Sequence, residues 1–275
     1  MRIGLSTPIV VQVPGVASPW ESDAGPAELA RVAETADALG FDHLTCSEHI
    51  VVPAADAPVR GATYWDPLAT LSYLAARTTR IRLATSVVVL GYHHPLALAK
   101  RYGTLDRLSG GRVVLGVGVG SLRAEFDLLD AEWPERGAAA DRGLAGLRAA
   151  WGRREVGEFV IDPHAVSTAA PIWVGGRTRR SLRRAVELGT GWVPFGLSAA
   201  DTADYLRQVN PPPGFEVVLN PGRALDPTGD PEGTRRRLSR LRDSGATVVN
   251  CSLRATDIDH YCTQLAALYT TAARL

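Results

Sequence analysis

Three short runs carry the residues best able to do chemistry. The first, Cys46-Ser47-Glu48-His49, ends a short apolar segment. Its imidazole can give or take a proton near neutral pH, and an adjacent carboxylate such as Glu48 would raise its basicity. The second is Gly116-Val-Gly118-Val-Gly120-Ser121, and the third is Gly175-Gly176-Arg177-Thr178 with Arg179 and Arg180 behind it. Both glycine runs follow a strand-like stretch and open a helical one. That arrangement offers unpaired backbone N–H groups and the positive end of a helix dipole to an anion. The hydroxyl and guanidinium groups of the third run suit one phosphate. His93 and His94 precede Pro95 in a further loop, where one ring can bond backbone and the other can face a ligand. Trp20, Tyr64, Trp65, Tyr92 and Phe195 also fall between elements and can wall a flat ligand. Each feature has a structural reading beside the chemical one: histidines hold loops, strands end in glycine for packing, and loop aromatics pack on cores.

What must position these residues is legible in the alternation of strand-like and helical patterns. Strands are expected at 2–6, 42–47, 81–89, 113–117, 172–174, 191–194, 215–220 and 247–252. Helices are expected at 26–39, 67–77, 96–108, 138–151, 181–188, 199–209, 231–243 and 257–273. Pro26 opens the first helix and Gly40 closes it. Eight short β-branched runs, each followed by a helix, fit an α/β fold: one closed parallel (β/α)8 barrel spanning residues 1–275. An open doubly wound sheet is the structural alternative. In the barrel the strand-to-helix loops converge on one rim, which gathers Thr7, 47–49, 86–94, 116–121, 175–178, Phe195, Asn220 and Ser252.

Composition narrows the partner. The chain has 275 residues, 45% hydrophobic and 21% charged, with 30 basic against 29 acidic side chains. A net charge of +1 argues for a small-molecule partner over nucleic acid or a membrane surface. No run reaches membrane-spanning length and no leader pattern opens the chain, so a cytoplasmic protein is expected. Cys46, Cys251 and Cys262 lack metal-ligand spacing and read as reduced thiols, and no metal site is expected. A metal-dependent barrel hydrolase would place a histidine pair after the first strand, where residues 3–8 have none. A dinucleotide-binding reading of Gly116 to Gly120 fails on spacing and on its place at the fourth strand.

Several motifs in order resemble the luciferase-like monooxygenase superfamily, in its branch using the 5-deazaflavin coenzyme F420. They are Gly40-Phe-Asp-His-Leu-Thr-Cys-Ser-Glu-His49, Tyr64-Trp-Asp-Pro-Leu-Ala-Thr-Leu71, Ala76 to Ser86, His94-Pro95, Leu105 to Arg112 running into the glycine loop, and Pro171-Ile-Trp-Val-Gly-Gly-Arg177. The resemblance implies a bacterial-luciferase-like barrel and a hydride transfer between F420 and an electron-poor C=C, C=N or carbonyl. It makes His49, with Glu48 beside it, the catalytic group. It places a bulged strand at Thr85-Ser86-Val87 behind the cofactor ring, with a cis peptide between Ser86 and Val87. Ser86, Val87, His94, Gly118, Gly120 and Ser121 become cofactor contacts, and Gly175, Gly176, Arg177 and Thr178 the phosphate loop. Trp20, Tyr64, Trp65, Tyr92 and Phe195 become the substrate pocket, and a homodimer is implied. An FMN-dependent monooxygenase and a non-catalytic flavin- or deazaflavin-binding protein are the alternatives. The chain departs from the pattern in a short 151–171 connection and in Arg177, where a small polar residue is commoner.

Overall fold

Small residues at one end of the strands, and large or charged ones at the other, decide what this sheet encloses. The computed structural model describes residues 1–169 and 171–275. The strands are β1 (Arg2–Ser6), β2 (His43–Cys46), β3 (Arg82–Thr85), β4 (Val113–Gly118), β5 (Ile172–Gly175), β6 (Gly191–Val193), β7 (Glu216–Leu219) and β8 (Val248–Cys251). Each pairs in parallel with the next. The eighth returns to the first, with Arg2 opposite Val248 and Leu5 opposite Cys251, so the sheet closes into the (β/α)8 barrel and the open sheet is excluded.

The outer helices are α1 (Pro26–Leu39), α2 (Pro67–Arg77), α3 (Pro95–Ser109), α4 (Arg136–Ala150), α5 (Arg179–Leu188), α6 (Ala199–Val209), α7 (Pro231–Asp243) and α8 (Ile258–Ala272). Their starts are written locally. The side chains of Asp66, Ser198, Asp230 and Asp257 each accept a first-turn N–H, and prolines open α1, α2, α3 and α7. Gly40 and Gly110 end α1 and α3 in the left-handed conformation. One device recurs: an aspartate in the last turn of a helix caps the loop feeding a later strand. Asp106 takes the N–H groups of Val166 and Ser167. Asp37 takes those of Thr79, Arg80 and Ile81, and these bonds outweigh the burial that would push its carboxyl up.

The structure adds elements the pattern did not predict. A two-residue ribbon joins Val11–Gln12 to Thr63–Tyr64, and a hairpin of Glu155–Val156 with Phe159–Val160 fills the short connection before β5. A helix at Arg123–Leu128 follows β4. The expected strand at 81–89 is broken after Thr85 and resumes at Val88–Val89.

The N-terminal end of the barrel is plugged. Trp173 is fully buried with Ala84, Val114, Val218 and Val248 around it, and its indole donates to Glu216. Arg82 reaches Asp42 at 2.5 Å and Glu216 at 3.4 Å, and Arg2 also pairs with both carboxylates. His43, fully buried, bonds Asp42 at 2.8 Å and lies where a Cβ on Gly4 would stand, which is why position 4 is glycine. Burial pushes the Asp42 carboxyl up, but His43 and the Arg82 guanidinium prevail and hold it well below the usual carboxylate range. A depressed folded value contributes stability that is present above the unfolded value, near pH 4, and is lost as pH falls toward the folded one. Asp42→Ala should therefore cost about 3–5 kcal/mol at pH 7 by leaving a guanidinium short of its partner. In urea melts, the gap to the wild type should narrow only below about pH 4, and a pH-independent gap would refute this account.

Candidate active site

The opposite end of the barrel is hollow because Ser6, Ser47, Ser86 and Gly175 stand near the C-terminal ends of β1, β2, β3 and β5. A cavity of about 660 Å³ opens there, lined among others by Ser6, Ser47, Ser86, Val193, Phe195 and Asn250. That volume lies in the range of small-molecule sites.

One wall is a bulge. Ala84 stands opposite Val114 on β4 and Val88 opposite Val117, so four steps on one strand face three on the other. The surplus residue sits at Ser86–Val87, whose peptide is cis. Glycines make the bulge possible. A Cβ on Gly116 would strike the Thr85 carbonyl at 1.9 Å, and one on Gly118 or Gly175 would strike the Val87 side chain at 2.6 or 2.9 Å. Gly120 has a positive φ, and Phe126 fills the space beside it. The glycine run on β4 is thus spent on packing, and its side-chain faces meet Val87 and Phe126. Ser121 is exposed at the run's end.

His49 stands two residues beyond the cavity-lining Ser47. Its carboxylate partner is Glu125, not Glu48: Nδ1 lies 2.8 Å from Glu125 Oε2. The other carboxylate oxygen takes the N–H of Ile50 at 2.7 Å and of Val51 at 3.3 Å, and the Tyr92 hydroxyl donates to Oε2 at 3.1 Å. Burial pushes the Glu125 carboxyl up, but His49 and the two N–H groups overcome it and keep it below the usual range. An ionised carboxylate only accepts, so Nδ1 carries a hydrogen and Nε2 is left as the exchangeable nitrogen. Tyr64 packs edge-on to the imidazole at 4.5 Å, carried there by the ribbon to Val11. Burial and the Glu125 charge raise the Tyr92 phenol above its ordinary value, so it remains a donor.

Glu48 belongs to a second pair. Its Oε1 meets His93 Nε2 at 2.7 Å, and Oε2 accepts the Val89 N–H at 2.7 Å. The expectation that Glu48 tunes its neighbour His49 is therefore corrected, because consecutive residues leaving a strand point to opposite sides.

The remaining sequence candidates divide. Phe195 lines the cavity and is largely exposed, so it fits the pocket assignment by position. Trp20 packs tilted against Tyr261 at 5.7 Å and lies on the core, as does Trp65, so the structure places both on the core rather than among the cavity-lining residues. His94 is exposed and caps α3, its Nδ1 accepting the Leu96 N–H at 3.2 Å. At the start of α5, Thr178 caps Ser181, whose hydroxyl also bonds the Trp192 indole. Arg179 and Arg180 reach Asp204 at 3.6 Å and Asp141 at 3.3 Å, while Arg177 is exposed at the helix entrance. Gly176 has a φ of 144°, and a Cβ there would strike Ser181. A phosphate would find first-turn N–H groups and the Arg177 guanidinium there, so an open cavity beside an anion-ready helix start fits a flavin-type cofactor.

Sequence reasoning missed Glu125. Its signal was present, an acid at the third position of a short apolar-flanked helix directly after a rim glycine loop. No group of three or more His, Cys, Asp or Glu among the described residues could hold a metal ion, and no helix among them is long and apolar enough to cross a membrane.

Comparison with known proteins adds sequence kinship to this geometry. An F420-dependent glucose-6-phosphate dehydrogenase of Nakamurella multipartita is 30% identical over 181 residues, 62% of this chain and 52% of its own. The 4-hydroxyprotoasukamycin monooxygenase of Streptomyces nodosus subsp. asukaensis is 40% identical over 98 residues, 36% of this chain and 24% of its own. In fold, the chain superimposes on the monooxygenase RslO1 from Streptomyces bottropensis with a TM-score of 0.81 at 20% identity, covering 100% of this chain and 99% of that one. The oxygenating constituent of 3,6-diketocamphane monooxygenase from Pseudomonas putida, in complex with FMN, gives 0.68 at 15% identity, covering 100% and 98%. Residues 1–212 match the luciferase-like monooxygenase family, and the chain belongs to that family of oxidoreductases and monooxygenases.

Proposed function

We propose that the protein is a hydride-transfer oxidoreductase that uses coenzyme F420 on a small substrate with an electron-poor C=C, C=N or carbonyl group. The observation that carries this reading is the His49–Glu125 pair on the loop that begins at the cavity-lining Ser47, a proton-handling group with one nitrogen tethered and the other free. When bound, F420 supplies or accepts the hydride. Glu125 holds the imidazole in one tautomer, so that Nε2 gives or takes the accompanying proton at a fixed place. Tyr64 packs against the ring and Tyr92 fixes the carboxylate. The bulge at Ser86–Val87 and Phe195 border the cavity that would orient ring and substrate. The start of α5, with Arg177, would hold the cofactor's phosphate. The kinship to the F420-dependent dehydrogenase of Nakamurella multipartita supports the choice of cofactor.

A second reading, an FMN-dependent monooxygenase, is favoured by the stretch shared with 4-hydroxyprotoasukamycin monooxygenase. Fluorescence titration with oxidised F420 and, separately, with FMN divides the two. Saturable preference for F420 with oxygen-independent turnover is the expected result, and preference for FMN with oxygen-dependent turnover moves the assignment to the monooxygenase.

Two variants test the dyad. His49→Ala should lower turnover about a hundredfold or more while cofactor affinity stays within about twofold. Equal turnover would remove His49 from the mechanism. Since the folded Glu125 carboxyl lies below the ordinary range, its charge persists above about pH 4 and is lost only below that. Wild-type turnover should thus show no limb from Glu125 between about pH 5 and 8. Glu125→Gln should lower turnover at least about tenfold throughout that window, and a loss confined to its acid end would contradict the assignment.

A further inference from the structure

At the open end of the barrel, buried Glu48 and half-buried His93 form an ionisable pair that the proposed chemistry leaves unused, and their contacts converge on one piece of backbone. Glu48 Oε2 accepts the Val89 N–H at 2.7 Å, and the Glu48 N–H donates to the Val87 carbonyl at 3.3 Å. The neighbouring Ser47 hydroxyl donates to the Ser86 carbonyl at 2.7 Å, and the Ser86 N–H donates to the Cys46 carbonyl at 2.8 Å. His93, on the loop that leaves this segment, holds the remaining Glu48 oxygen. Residues 86–89 are thus gripped from the β2 side, while Val88 and Val89 pair with β4 on the other.

The carboxylate is enclosed, with 7% of Glu48 exposed and both oxygens engaged. Among the described residues its one ion-pair partner is His93, whereas His49 is bonded to Glu125. Removing the carboxylate would leave the buried Val89 N–H without an acceptor. We propose that Glu48 and His93 are positioning residues that set the backbone wall at 86–89 against which the cofactor ring lies, and that neither carries the reaction's proton. The proposal rests on reading the adjoining cavity as the cofactor site.

The test combines amide hydrogen exchange over residues 86–93 in the protein alone with fluorescence titration by oxidised F420. Glu48→Ala and His93→Ala should each speed exchange in that segment and raise the F420 Kd about tenfold, while His49→Ala changes neither. Glu48→Gln should restore both, because its amide oxygen still accepts the Val89 N–H. Unchanged exchange in both alanine variants overturns the proposal. Faster exchange with unchanged F420 affinity overturns it too, since the grip would then be structural alone. If the wild type binds FMN in place of F420, the same comparison is read with FMN. A wild type that binds neither removes the cofactor-site reading and this proposal with it, whereas binding that all variants share removes this proposal only.

Discussion

One surplus residue between β3 and β4 governs the catalytic end of this barrel. Because Ala84 to Val88 must be matched against Val114 to Val117, the strand rises out of register at Ser86 and Val87. The Thr85 carbonyl then occupies the volume that a side chain at 116 would need, and Val87 occupies those of 118 and 175. Three glycines on two neighbouring strands are therefore consequences of a single register slip. The chain leaving the bulge is also re-aimed, and that delivers Tyr92 to Glu125 and His93 to Glu48. A bulge beside a site commonly re-aims side chains in this way. Here it links three loops into one network.

The barrel's two ends divide the labour by polarity. At the closed end, Asp42 and Glu216 face Arg2, Arg82 and His43 around Trp173, so the charges there are paired with one another and fill space. At the open end, serines and glycine leave the volume empty and the ionisable groups stand to one side of it. Barrel enzymes place function on the C-terminal face and stability on the other, and the two sets of residues follow that division without overlap.

The architecture was legible in the sequence because closure follows from eight repeats of one pattern, seven of whose helices open on a proline or a side-chain cap. The bulge was legible only through motif resemblance, whereas the glycine run before α5 and the helix after it were legible in their own residues. Pairing was not legible at all. Glu48 and His49 are adjacent in sequence, and adjacency suggested a dyad, but strand alternation sends them to different partners 45 and 76 residues away. Glu125 escaped notice for a related reason. It lies on a six-residue helix too short to show periodicity, and its meaning comes from the loop it reaches. Trp20 and Trp65 misled in the opposite sense, since a tryptophan between elements is as able to seal a core as to wall a pocket.

The crossing of the two pairs also settles an electrostatic problem. On the proposed reading, a cavity for a phosphorylated ring would gain nothing from bare carboxylates at its mouth, because unpaired negative charge in a partly desolvated site repels an anionic ligand strongly. Glu48 and Glu125 are nonetheless needed to hold loops, and each is matched to one imidazole and to backbone N–H donors. Their charge is spent inside the wall. On the same reading, the guanidinium of Arg177 and the start of α5 would be left as the groups an incoming phosphate meets, and His49 Nε2 as the nitrogen free to exchange a proton. Separation of anchoring charge from reactive nitrogen allows rigid loops and mobile protons to coexist within a few residues of each other.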